Sequence, residues 1–213
     1  MLIGPLVIWG CGGHAREVLH LCEQIGVLVI GFLDERPEYK GKVVDGLPVL
    51  GDLQDILHLK DQVRIVCAGV GDPFLKKHFV EKTTLLGFQP ADSLIHPSIY
   101  LSNRNTIGKG TIICEGTILT TNVQVGNFVI LNRGVILSHD DIIHDYATVS
   151  PGASIAGNVT VGEGATIGIG SSIREKVSIG AWSMIGGGSF VKGNVPPHTL
   201  YGGVPAIFKK NWP

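Results

Sequence analysis

Aromatic residues are scarce in this chain, no cysteine belongs to a CxxC pair, and neither sign of charge is in excess. Rings make up 7% of the 213 residues, and 17 Lys and Arg face 18 Asp and Glu. With no basic run, nucleic acid is not expected as a partner. The four cysteines, Cys11, Cys22, Cys67 and Cys114, are too scattered to frame a disulfide scaffold or a metal knuckle. They read as reduced thiols of a cytoplasmic protein. The opening MLIGPLVIWGCGG is apolar but has no basic segment before it and is too short to cross a bilayer. It reads as a first strand rather than a signal peptide, and no membrane insertion is expected. Against these shortages stand 30 glycines, which point to a fold of frequent tight turns with little interior room for rings.

The second half explains the glycines. From Ile95 to Val191 an aliphatic residue returns at every sixth position without a gap. Four residues after most of them stands a small residue or Val, as at Thr111, Val123, Ala147 and Ala165. Directly after them Gly recurs, as at Gly108, Gly126, Gly162 and Gly168, where the chain is expected to bend. Period six fits neither helix nor hairpin; it is the signal of a hexapeptide β-helix, with three hexads to one triangular coil. Residues 93–213 closely resemble the left-handed hexapeptide-repeat acyltransferases. The left hand of the coil, a homotrimer and ligand clefts between subunits are what that resemblance implies.

Residues 1–92 read differently. PLVIWG is a strand, GCGGHA a Gly-rich turn, AREVLHLCEQIG a helix ending at Gly26, and VLVIGFLDE a second strand closing on Asp34. DLQDILHL (helix), RIVCAGVG (strand) and PFLKKHFVEKTTLLG (helix) follow. Alternating strands and helices imply a small Rossmann-like parallel sheet. Gly10, Gly12 and Ala15 match G-x-G-x-x-A, and Asp34 stands where the dinucleotide fingerprint places its acidic residue. The segment is only about half of a full dinucleotide fold, so a mononucleotide head group fits better than NAD. His14 opens the helix, where backbone N–H groups favour an anion.

The order GCGGHA, FLDE, GVGDP, HP and then the prism resembles the sialic-acid O-acetyltransferase and UDP-4-amino-sugar N-acetyltransferase family over almost the whole chain. The resemblance implies that the front domain holds the uridine part of a nucleotide sugar, at Gly12, Gly13, His14, Asp34 and Gly71. It implies that the prism holds acetyl-CoA. Lys76 stands where the family often has a phosphate-contacting Arg, and it lacks the bidentate fork.

Two histidines, His139 and His144, lie five apart in LSHDDIIHDYATVSPG. Residues eighteen apart stack one coil apart, at roughly 4.8 Å. Gly157 therefore falls above His139, leaving a gap that a thioester could occupy beside an exposed N–H. His144 falls on a turn. Two zinc-binding histidines five apart also mark the γ-class carbonic anhydrases, but their third histidine corresponds here to Asn103, so no metal is expected. Imidazole suits a general base, and a neighbouring carboxylate can fix its tautomer. The family's base is followed by an acid and often Cys; here the run is His139-Asp140-Asp141. Asp141 either raises the basicity of His139 or is hydrated at an irregular coil. Asn132 matches the family's N-x6-H spacing and is expected in the same cleft. Thr148 stands where the family has a second histidine near the acetyl carbonyl. The pantetheine arm is expected to pass Gly157, Gly170 and Gly187 toward GGVPA, with Lys192 as a phosphate partner; Lys209 and Lys210 read rather as solvated tail residues. The implied reaction is acetyl transfer to the amine of a UDP-sugar, with sugar O-acetylation as the alternative.

Overall fold

The computed structural model describes residues 4–213, so the first three residues of the opening apolar run lie outside the described residues. The chain divides into two compact units between Leu94 and Ile95.

The front unit holds β1 (Leu6–Trp9), α1 (Gly13–Gln24), β2 (Val29–Leu33), β3 (Arg64–Val66), α2 (Pro73–Leu85) and β4 (Gln89–Pro90). The strands form one parallel sheet in the order β2-β1-β3-β4. Strand β1 is buried at every position, which is why LVIW is an unbroken apolar run. Helix α1 buries Ala15, Val18, Leu19, Leu21 and Cys22, one stripe at helical spacing. Asp72 caps α2 by accepting from the Leu75 N–H at 3.0 Å, with Pro73 in the first turn. The expected helix DLQDILHL is not one: only a 3₁₀ turn at Leu57–Leu59 forms. The Asp52 carboxylate takes the amides of Gln54 and Asp55, and Asp55 takes that of Asp52. These side chains compete with helical hydrogen bonding, while Leu53 and Ile56 still bury into the core.

The second unit is a triangular β-solenoid. Its two-residue strands pair in parallel with strands eighteen residues away. Leu119↔Leu137 and Leu137↔Ile155 stack on one face, Val125↔Ile143 on the next, and Leu131↔Val149 on the third. The three faces are the sheets through Ile136–Leu137, Ile142–Ile143 and Thr148–Val149, and the C-terminal hairpin Thr199–Gly203 and Ala206–Asn211 extends the third. The aliphatic of each hexad points inward, and the column from Ile113 to Val191 forms one continuous core. Each such side chain contributes on the order of 1.5–3 kcal/mol by leaving water.

The bends fall elsewhere than the Gly-after-aliphatic pattern implies. From Gly110 to Gly188 every sixth residue has a positive φ, and these positions include Asn122, Asp140 and Asn158 as well as glycines. Gly108, Gly126, Gly162 and Gly168 are not among them. A Cβ on any of these four would run into backbone of the next coil. Those glycines are set by close coil approach, and the chain turns two residues later.

Candidate active site

Each coil has three corners. Residues 138–141 turn between the first and second faces, 144–147 between the second and third, and 150–153 between the third and the first. His139 and His144 therefore stand on different corners, both exposed.

His139 is held by its own corner. Its Nδ1 lies 2.8 Å from Asp140 Oδ2, with the imidazole 58% exposed. Asp140 takes a left-handed conformation, φ 62°, which Asp tolerates better than most residues. Its other oxygen accepts from Asn122 Nδ2 at 2.9 Å, one coil away. Hydrogen bonds from Asn122 and then His139 hold the Asp140 carboxyl below the usual range. An ionised carboxylate only accepts, so in the neutral imidazole the proton is assigned to Nδ1 and the lone pair to Nε2. The Asn158 amide lies 3.4 Å from the same Nδ1.

Gly157 does lie one coil above His139, but not beside a vacant gap. A Cβ there would overlap the imidazole Nε2. The ring itself occupies the space that a side chain would take, so glycine is what lets the imidazole lie across the coil. The expected thioester-sized gap is not there, and ligand must approach the exposed side of the ring.

Asp141 is not hydrated. It is fully buried, with Oδ2 accepting from the Ser138 N–H and Oδ1 from the Val159 N–H, both at 2.9 Å. Burial outweighs those two bonds and raises its carboxyl to about 7.

The other expected residues divide between corners. Asn132, whose side-chain oxygen takes the Arg133 N–H at 2.8 Å, is on the corner between the third and first faces, as are Gly170 and Gly187. Thr148 lies on the third face, nearly buried. Within one chain none of these joins His139. Lys192 does share its corner, three coils above Ser138. So do Arg174 and Lys176, both exposed, which sequence reasoning does not single out. Their signal is present: they stand thirty-six residues, two coils, after Ser138 and Asp140. Lys209 and Lys210 belong to the hairpin strand Ala206–Asn211 rather than to a loose tail.

In the front unit a cavity of about 450 Å³ opens at the carboxyl ends of β1 and β2, lined by Trp9, Gly12, Asp34, Arg36, Val70 and Phe79 among others. Ligands of open α/β sheets bind at this end, where the strand order reverses. Gly10 has φ +101°, and a Cβ on Gly69 would strike the Trp9 carbonyl, so these two glycines bring the turn and the continuation of β3 together. Gly12, Gly13 and Gly71 have open space where a side chain would stand. Trp9 stacks on Phe79 at 4.2 Å, and its Nε1 is buried without a partner.

Asp34 is not a free acceptor. Arg36 Nε and Nη2 reach its two oxygens at 2.8 and 2.7 Å, the Arg36 N–H adds a third bond, and the Cys11 thiol lies 3.0 Å away. Although burial opposes it, this set of donors lowers the carboxyl to about 2. Arg36, which the fingerprint does not include, also stacks over Tyr39 at 4.0 Å. His14 is mostly buried, and desolvation keeps its imidazole toward the neutral form. Lys76 is fully buried, its ammonium pushed well down by desolvation, and it offers no surface phosphate contact.

A parallel-sheet unit followed by a hexapeptide solenoid, with a carboxylate-held imidazole on one edge, defines a hexapeptide-repeat acyltransferase. Residues 5–83 match the PglD N-terminal domain, and residues 158–193 match the bacterial transferase hexapeptide (six repeats). Comparison with curated protein sequences gives no match. Among solved structures, a variant of perosamine N-acetyltransferase from Caulobacter crescentus, in complex with CoA and GDP-perosamine, is 30% identical with a TM-score of 0.89, over 98% of each chain. The acetyltransferase domain of PglB from Neisseria gonorrhoeae FA1090, in complex with acetyl coenzyme A, is 27% identical with a TM-score of 0.85, over 97% of this chain and 100% of that one. The chain belongs to this family of hexapeptide-repeat sugar acetyltransferases with a PglD-type front domain, and it is an acyltransferase.

Proposed function

We propose that the protein transfers an acetyl group from acetyl-CoA to the amine of a nucleoside-diphosphate amino sugar, with His139 as general base. The observation that carries the reading is the Asp140-held imidazole, exposed on a solenoid edge with Nε2 free to accept a proton. The amine nitrogen adds to the thioester carbonyl while His139 Nε2 takes its proton. The oxyanion is assigned to a backbone N–H, that of Gly157, which stands one coil above His139. The tetrahedral adduct collapses, the carbon–sulfur bond breaks, and the imidazolium returns its proton to the coenzyme A thiolate. One oxyanion donor of this kind is worth about 3 kcal/mol.

The nucleotide head group is assigned to the cavity at the carboxyl ends of β1 and β2, against Gly12, Gly13 and Gly71. Asp34 fixes Arg36, whose remaining N–H groups face ligand. Uridine is the expectation from family resemblance, whereas the Caulobacter relative was captured with a GDP-sugar; assay of the different nucleotide sugars decides the base. Coenzyme A is assigned to the His139 corner, with Arg174, Lys176 and Lys192 as partners of its phosphates.

A homotrimer accounts for the divided site. The first face presents Ile118, Ile136 and Phe190 to solvent, 52%, 38% and 38% exposed. It is flanked by the His139 corner and by the corner of Asn132, Gly170 and Gly187. Packing copies around this face sets one copy's His139 beside the other corner of the next copy.

The test is coenzyme A release with acetyl-CoA and UDP-, GDP- and dTDP-linked amino sugars. Turnover with at least one is expected, and His139→Ala should lose about two orders of magnitude or more while coenzyme A still binds. His144→Ala should stay within a few-fold of the unaltered enzyme. Near-normal turnover of His139→Ala removes the base from the mechanism.

A further inference from the structure

Among the described residues the solenoid interior offers one buried carboxylate, and it stands next to the proposed base. Asp141 occupies the inward position that Val123 and Val159 fill one coil below and above. Three other polar residues at inward positions share one pattern, whereas Thr117 keeps only its second half and Ser183 and Ser189 donate instead to the carbonyl three residues before them. Asn105 accepts from the Val123 N–H, eighteen residues on, and donates to the Thr120 carbonyl, fifteen residues on. Thr111 accepts from the Val129 N–H and donates to the Gly126 carbonyl in the same way, and Ser171 does so with Ser189 and Gly186. Asp141 keeps the first half, with the Val159 N–H at 2.9 Å, and breaks the second. Its other oxygen turns back to the Ser138 N–H at 2.9 Å, sharing it with the ladder bond to the Ile155 carbonyl at 3.2 Å. Both oxygens face an N–H donor, an arrangement the ionised carboxylate satisfies best.

We propose that Asp141 is a positioning residue for His139: ionised, it ties the amides of Ser138 and Val159, which flank His139 and the Gly157–Asn158 turn, and on protonation it releases Ser138. The protonated acid has one donor oxygen. The pattern of Asn105, Thr111 and Ser171 supplies its acceptor, the Ala156 carbonyl, fifteen residues on. Ser138 precedes His139, and Ala156 precedes the Gly157 over which the imidazole lies. The exchange therefore changes main-chain hydrogen bonding on both sides of the base, returning the Ser138 N–H wholly to the Ile155 carbonyl. The titratable groups near Asp141 are His139 and Asp140. The adjoining coils present Asn122, Val123, Asn158 and Val159 there, and none of these titrates. The catalytic consequence rests on His139 as base; the exchange itself does not.

The experiment has two arms on the full-length protein. In the first, the Ser138 and Val159 amide resonances are followed by NMR against pH. Both should titrate together near the carboxyl's value of about 7 and be flat in Asp141→Asn. In the second, kcat is measured against pH for the unaltered enzyme and Asp141→Asn. The asparagine can adopt the Asn105 arrangement, so the variant resembles the protonated acid. Its kcat should fall at least tenfold at pH 8, with the KM for acetyl-CoA within twofold, and the difference should close by pH 5.5. A merely structural role would cost the same factor at every pH, and that result overturns the proposal. So do amides that fail to titrate in the unaltered protein, a measurement that decides the matter alone if Asp141→Asn does not fold. Absence of all transferase activity would refute the functional reading, while the amide titration would still judge the exchange.

Discussion

Gly157→Ala tests the geometry of the base by adding one carbon. The backbone of Gly157 is not in the left-handed region, so alanine is conformationally acceptable there. The new Cβ, however, occupies the place of His139 Nε2 and crowds Cε1 and Cδ2. The Lys176 N–H to Gly157 carbonyl bond, 3.1 Å, can persist, so the coil stays closed. The imidazole must swing outward and lose its 2.8 Å contact with Asp140. General-base catalysis is worth about 10²–10⁴ in rate, or about 3–5 kcal/mol of barrier. A displaced ring should forfeit most of it. The assay is kcat by coenzyme A release, alongside thermal unfolding and a coenzyme A binding isotherm. Loss of kcat by about a hundredfold with a folded, coenzyme-binding protein is the expected result. Gly46→Ala provides the contrast: Gly46 has φ +80° and open space in the front unit. It should cost about 1–2 kcal/mol of stability through backbone strain and leave kcat unchanged. A Gly157→Ala enzyme with unaltered kcat would refute the claim that the imidazole works from its position over the coil.

Surface and charge supply the remaining tests. Ile136→Glu places a charge beside Ile118 on the exposed side of the first face; sedimentation should show monomers in place of trimers, and activity should fall with assembly. An unaltered trimer would move the interface to another face. Asp34, lowered to about 2 by Arg36 and Cys11, contributes stability that is present above its unfolded value near 4 and is lost as pH falls from about 4 to about 2. Arg36 is half exposed, so solvent screening keeps the contribution of the pair small. Arg36→Ala should flatten that acid limb in a pH series of thermal unfolding; an unchanged limb would show that another group sets it.

The six-residue period was legible because it is a property of the chain alone: identical hexads must stack, and residues eighteen apart must neighbour one another. The solenoid, the His139–Gly157 adjacency and the separation of His139 from His144 all follow from that count. The parallel sheet was legible from alternating strand and helix patterns. What side chains do with their neighbours was not. DLQDILHL has helical spacing, but Asp52 and Asp55 capture its amides. Asp34 looks free in a fingerprint, yet Arg36, two residues on, takes both its oxygens. Asn132 and His139 are seven apart in sequence but stand on different corners, since a corner is reached every six residues. Asp141 was visible as a departure, but only its burial against two amides reveals what the departure does. Periodicity determines which residues meet; tertiary packing decides which of several possible partners each one takes, because that choice depends on distances and desolvation that no spacing encodes.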